Sequence, residues 1–401
     1  MSKRAIIIFL MAICLVSPAT SYPKASWKKL IKEAEDLIEE EQYARAEDRA
    51  REAMLAAEEQ FGKNHINTAR SIDRMGVACE SQGKLAIAED LYEQQIDIFK
   101  QLYGPEDCRA AAAMNRLALN YQRQGRYAES RETLKKSLAI IENSPDGDKL
   151  LEAVTLEHLA KLCRVKKNYE DSRRFYRRSL AIAEQELGPK DSRVGTIHDG
   201  LAGIYLKLGK PDEATLQNQM AIEIIKKADG KKSANYAAAL HTQACISDAR
   251  GQAAEAEAAL KQSYQIMQKA YGENHPKVAV SIESLADFYR RQGKYAEAEA
   301  LFYRSLKIKQ ESLGEDHPDA VMALAGVASV YRDQGRLGEA AMLYKQALSS
   351  VEKSLAPGHV YIIKVLEGMA ELYKMAGREN EVKKIEARLK AIRESSGMPG
   401  D

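Results

Sequence analysis

The apolar and polar positions of this chain repeat with a period of 42 residues. A small residue falls at Ala34, Gly76, Ala118, Ala160, Ala202, Ala244, Ala286, Ala328 and Ala370, nine times without slippage. Four positions earlier stand Leu30, Ile72, Met114, Leu156, His198, Leu240, Ile282, Leu324 and Leu366. Three positions later stand Leu37, Cys79, Tyr121, Cys163, Tyr205, Ser247, Tyr289, Tyr331 and Tyr373. Intervals of three and four mark one face of a helix. A second small slot, twelve positions after the first, runs Ala46, Ala88, Ser130, Ser172, Ala214, Ala256, Ala298, Ala340 and Val382. The pattern predicts two helices per period, with small residues letting them approach closely. Seven positions after the first small slot comes Gly at 83, 125, 209, 251, 293, 335 and 377, which marks the turn within each pair. Another Gly at 62, 104, 188, 230, 272 and 314 opens the loop to the next pair. Asp107, Asp191, His275 and His317 then precede a helix start, with Pro276 and Pro318 suited to its first position.

These residues resemble the tetratricopeptide repeat family. The 42-residue spacing and the stretches Tyr271-Gly-Glu-Asn-His-Pro and Leu313-Gly-Glu-Asp-His-Pro are similar to the kinesin-light-chain type of repeat. The resemblance implies an all-α, right-handed α-solenoid superhelix of nine helix–turn–helix units. It also implies that the first helices line a concave groove that binds proteins or peptides. The kinesin-light-chain pattern carries Asn pairs before the small slot, and here only Asn115 stands there.

Some slots depart from the pattern. His198 fills an apolar slot and reads as a buried, hydrogen-bonded residue. Glu41 and Lys167 occupy the turn slot, where a less sharply left-handed turn is expected. The acidic first unit and the polar last unit read as caps. Cys79 and Cys163 lie two units apart and read as core residues, so no disulfide is expected.

The first 21 residues fall outside the repeat. Lys3 and Arg4 precede an apolar run from Ala5 to Val16, and small residues follow to Ser21. That is the form of a secretory signal peptide, with cleavage after Ala19 or Ser21. As a helix the run reaches about 18 Å, short of a ~30 Å bilayer core. The organisation is therefore a leader over 1–21, a solenoid over 22–396 and a short tail over 397–401. Export to the periplasm or the outside of a bacterial cell is expected.

The 60 basic and 58 acidic residues nearly balance, which gives no electrostatic reason to expect nucleic acid. Aromatics are only 6% of the chain, which suits many thin helix seams better than one large core. No phosphate-cradling Gly loop, Gly-x-Ser-x-Gly or His-Glu-x-x-His occurs. His65, His275, His317 and His359 recur at one loop slot, spread along the solenoid rather than converging on a metal. No catalytic residue, metal site or cofactor is expected.

Function is expected in the groove. Three positions before the small slot lie Asp73, Asn115, Glu157, Asp199, His241 and Glu283, a mostly acidic track. Four or five positions after it lie Arg123, Arg164, Lys207, Arg290 and Arg332, a basic one. Two opposed tracks suit an extended partner segment. The bland alternative is ordinary solvated helix faces. The expectation is an exported, non-catalytic scaffold, monomeric or weakly self-associating, that binds a protein or peptide. The alternatives are an assembly subunit acting through self-association or its convex face, and a regulatory helper of a separate enzyme.

Overall fold

The computed structural model describes residues 26–144 and 147–395. The expected leader and tail lie outside the described residues. Eighteen helices are described. In chain order they are α1 (Trp27–Glu39), α2 (Tyr43–Phe61), α3 (Ile66–Ser81), α4 (Leu85–Tyr103), α5 (Cys108–Gln124), α6 (Tyr127–Asn143), α7 (Lys149–Val165), α8 (Tyr169–Leu187) and α9 (Ser192–Lys207). They continue with α10 (Pro211–Ala228), α11 (Ala234–Ala249), α12 (Ala253–Tyr271), α13 (Pro276–Arg291), α14 (Tyr295–Leu313), α15 (Pro318–Asp333), α16 (Leu337–Ser354), α17 (Val360–Met375) and α18 (Glu379–Ser395). Each odd helix packs on the even helix that follows, consistent with nine units. First helices of successive units also touch, α1 with α3, α5 with α7, α9 with α11, α13 with α15 and α15 with α17. No second helices touch to a similar extent among the described residues, so the first helices form the inner wall of the curve.

Close approach at the small slots holds each pair together. Ala34, Ala118, Ala160, Ala202, Ala286 and Ala328 have no exposed surface, and neither do Ala46, Ala88, Ser130, Ser172, Ala214, Ala256, Ala298 and Ala340. The turn between the helices closes the same way nine times. The backbone N–H of Gln42, Lys84, Arg126, Asn168, Lys210, Gln252, Lys294, Arg336 and Arg378 donates to the carbonyl five residues back, at 2.8–2.9 Å. This six-to-one bond needs a left-handed residue just before the donor. Seven of the nine turns supply Gly. Glu41 and Lys167 adopt the same conformation, with φ of 58° and 55°, which corrects the expectation of a relaxed turn there. Packing of the helix pair fixes the turn, and the side chains bear a strain of about 1–2 kcal/mol each.

Entry to each first helix is equally regular. The side chains of His65, Asp107, Asp148, Asp191, Ser233, His275, His317 and His359 all accept from a backbone N–H of the first turn. The four histidines do so through Nδ1, at 3.0–3.2 Å. His therefore replaces Asp as the cap, and the neutral ring carries its proton on Nε2.

Units join by a knob that the repeat pattern left unread. An aromatic ring four positions after the second small slot inserts against a glycine of the next first helix: Tyr176 at Gly200, Phe302 at Gly326 and Tyr344 at Gly368. A Cβ at Gly326 would lie 2.4 Å from the Phe302 ring, whereas one at Gly203 would meet nothing within 4 Å. Gly326→Ala is accordingly expected to lower stability by about 1–3 kcal/mol through overpacking. Gly203→Ala should be neutral or stabilising by up to about 1 kcal/mol through helix propensity. Urea unfolding of the two variants against wild type tests the contrast.

Candidate functional site: the inner groove

The inner wall carries both charge tracks, and the solenoid neutralises them unevenly. At the amino-terminal end Asp73 is buried and pairs with Arg74 at 2.8 Å and with Arg116 at 3.3 Å. Asn115 is also buried and donates to Thr155 Oγ1 at 2.7 Å. Arg123 stays exposed, with Nε 3.3 Å from Glu80. At the carboxy-terminal end Glu283 takes Lys309 at 2.6 Å and the Ser305 hydroxyl at 2.7 Å. Arg290 pairs with Asp287 and Asp333, and the buried Arg332 pairs with Asp333 and Glu371. These groups tie one helix to the next. They do not stand free as a continuous outward track, because the slot before the small residue sits at the junction with the second helix.

The middle of the groove differs. Arg164 on α7 and Lys207 on α9 are exposed and form no close ion pair among the described residues, and Arg164 acts on the Asp199 carboxylate only through its field. Glu157 reaches Lys161 and Arg193 only at 3.7 Å, and its Oε1 accepts no hydrogen bond. Burial raises its pKa. Asp199 accepts from Asn218 at 3.3 Å, and burial raises its pKa too. His158 Nδ1 has no partner, and burial pushes that ring down to about 4. His241 is lowered by the same cause. It lines a groove cavity of about 340 Å³ with Cys245, Asp248, Glu283, Asp287 and Arg291, between α11 and α13. His198, by contrast, is a core residue, 2% exposed, with Nδ1 2.7 Å from Gln217 Oε1.

Cys79, Cys108, Cys163 and Cys245 are free thiols, the first and third buried. Among the described residues no group of three or more His, Cys, Asp or Glu is placed to hold a metal ion. No helix among them is long and apolar enough to cross a membrane.

Stacked helix pairs with a groove along their inner wall define a class, the α-helical repeat solenoid. The chain belongs to the tetratricopeptide repeat family, whose models match residues 29–101, 109–185, 155–227, 279–353 and 322–395, and 237–277. Its fold is similar to that of a Rap protein complexed with Competence and Sporulation Factor, at 17% identity over 94% of this chain and 99% of that one, with a TM-score of 0.62. It is also similar to the apo form of the quorum sensor NprR from B. thuringiensis, at 13% identity over 87% and 92%, TM-score 0.56. A putative kinesin light chain repeat protein from Podosopora anserina matches at 25% identity over 51% and 97%, TM-score 0.40. No curated protein sequence matches the chain significantly.

The half-buried His158, whose Nδ1 is shielded from solvent, gives stability a pH dependence of definite sign. Its folded pKa of about 4 lies below the ordinary value of 6.5, so the unfolded chain binds the proton first. The contribution is intact above about pH 6.5 and is lost as pH falls toward about 4. Glu157 and Asp199, with raised pKa, act in the opposite sense, the folded state taking up protons first and gaining stability as pH falls through their raised values toward the ordinary carboxylate range. Against urea midpoints measured from pH 7 to pH 5, His158→Leu should therefore lose less stability on acidification than wild type.

Proposed function

We propose that this chain is an exported, non-catalytic scaffold that binds a protein or an extended peptide along its inner groove. The observation that carries the reading is the loosely paired charge at the groove's centre. Arg164 and Lys207 stand exposed with no close ion pair, beside Glu157, whose own pairs with Lys161 and Arg193 are long at 3.7 Å. At Asp73, Glu283, Arg290 and Arg332, by contrast, opposite charges are already joined. A partner segment with acidic groups facing α7 and α9, and donors facing Glu157, would complete what the solenoid leaves open. The Rap protein of similar fold, crystallised with Competence and Sporulation Factor, supports a binding role for such a superhelix. Many shallow contacts on rigid helices, rather than one deep pocket, suit recognition of this kind.

The reading is tested by capturing partners from the native envelope with wild type and with Arg164→Glu/Lys207→Glu. The variant should hold the captured protein about tenfold less tightly, equivalent to roughly 1.4 kcal/mol. Lys136→Glu on an exposed second helix should change nothing. Equal capture by all three at the same salt overturns the central groove as the binding surface.

Export rests on the Lys3–Ser21 leader, whose charge, length and small-residue end fit a secretory signal. Amino-terminal sequencing of the protein isolated from its native cells is expected to begin at Thr20 or Tyr22. A retained Met1 or Ser2 overturns export by cleavage.

A further inference from the structure

The solenoid meets itself. Three turns of the first three units touch three helix starts of the last three, always 234 positions apart: 41 with 275, 83 with 317, and 125 with 359. At the first rung the Glu41 carboxylate takes His275 Nε2 at 2.6 Å and Lys277 Nζ at 2.7 Å. His275 Nδ1 is engaged as the cap of α13, so Nε2 carries the proton that faces Glu41. At the second rung the His317 ring is the neighbour of Gly83, where a Cβ would meet it at 3.9 Å. At the third, Ala356 N–H donates to the Gln124 carbonyl at 3.2 Å, and Val360 N–H donates to Tyr127 Oη at 3.1 Å. The Tyr127 and His359 rings stack at 6.5 Å. Gly125 has no room for a side chain, since a Cβ there would lie 2.8 Å from His359 Cα. The same turn position in the fifth unit, Gly209, has open space around it.

We propose that these three rungs are a clasp that closes the side of the groove, so that a partner segment enters from an open end or only after the clasp parts. The inference goes beyond the proposed binding function and rests on the groove being the binding surface. Its geometry can be tested without any partner. The rungs are few and polar, with a cavity of about 550 Å³ between the first two, lined by Tyr43, Ser81, Arg123, His275, Lys277 and His317. They contrast with the apolar seams between consecutive units. A small change in rotation at each unit, summed over the units between the rungs, separates them without breaking any seam. The clasp is therefore the place where the solenoid opens at least cost.

Two measurements decide. In the first, a zero-length carbodiimide is applied to the full chain and the monomer is analysed by mass spectrometry. The Glu41–Lys277 crosslink is expected at a yield comparable to Glu47–Lys84, an interhelix pair at 2.5 Å within the amino-terminal units. Recovery of Glu47–Lys84 without Glu41–Lys277 overturns the clasp. In the second, Cys245, exposed on the groove wall, is labelled with N-ethylmaleimide or with a kilodalton-scale polymer maleimide, with Cys14 and Cys108 replaced by serine. Glu41→Lys and Gly125→Ala should each speed the polymer reaction by at least about threefold, in proportion to the open population. The small reagent should be little affected. Gly209→Ala carries the same backbone strain away from the clasp and should leave both rates unchanged, and Glu41→Lys/Lys277→Glu should restore the wild-type polymer rate. Equal polymer rates in wild type, Glu41→Lys and Gly125→Ala show that the clasp does not gate the groove and overturn the proposal, whether or not the groove binds a partner.

Discussion

Everything in this molecule depends on how closely two helices approach at a pair of small residues. Where Ala160 meets its partner helix near Ser172, no surface is left exposed, and the Ser172 hydroxyl donates to the Ala160 carbonyl at 2.7 Å. A larger side chain at either slot would widen the pair. In a solenoid such an error is not local, because each unit takes its orientation from its neighbour. Nine closely similar pairs let the chain curve far enough to meet itself in phase.

That same regularity decides what the groove offers a partner. Each first helix presents charges to the helices beside it as well as to solvent. Where neighbours carry complementary groups in register, as Arg290 with Asp333 or Arg332 with Glu371, the charge goes into stacking. Where the register supplies none, as at Arg164 and Lys207, it remains available. Charge is therefore spent unevenly along the first helices. Desolvation there also shifts the titration of Glu157, Asp199 and His158.

The capping histidines show how one residue serves two levels of structure. Asp107 and Asp191 cap their helices as well as His275, His317 and His359 do theirs. An imidazole has a second nitrogen on the far side of the ring, and a carboxylate has no proton to offer. In the last three units that outer edge or face of the ring lies against the opposite turn of the superhelix. The slot reads in the sequence as a loop position, and it becomes a contact between distant units only when the curvature brings them together.

The sequence alone determined the period, the helix pairs, the turns and the small-residue seams, because each depends on residues within one repeat. It also placed charged residues at two recurring slots, from Asp73 to Glu283 and from Arg123 to Arg332. It did not say which of those charges are spent on neighbours, since Arg290 and Asp333 lie 43 positions apart and the pairing depends on how adjacent units rotate. Nor did it reveal that Glu41 and Lys167 take the left-handed turn despite their side chains, a result of helix packing outweighing local preference. The meeting of Glu41 with His275, and of Gly125 with His359, was decided only by the tertiary structure. It follows from the accumulated rotation of more than five repeats, a quantity that no single repeat contains.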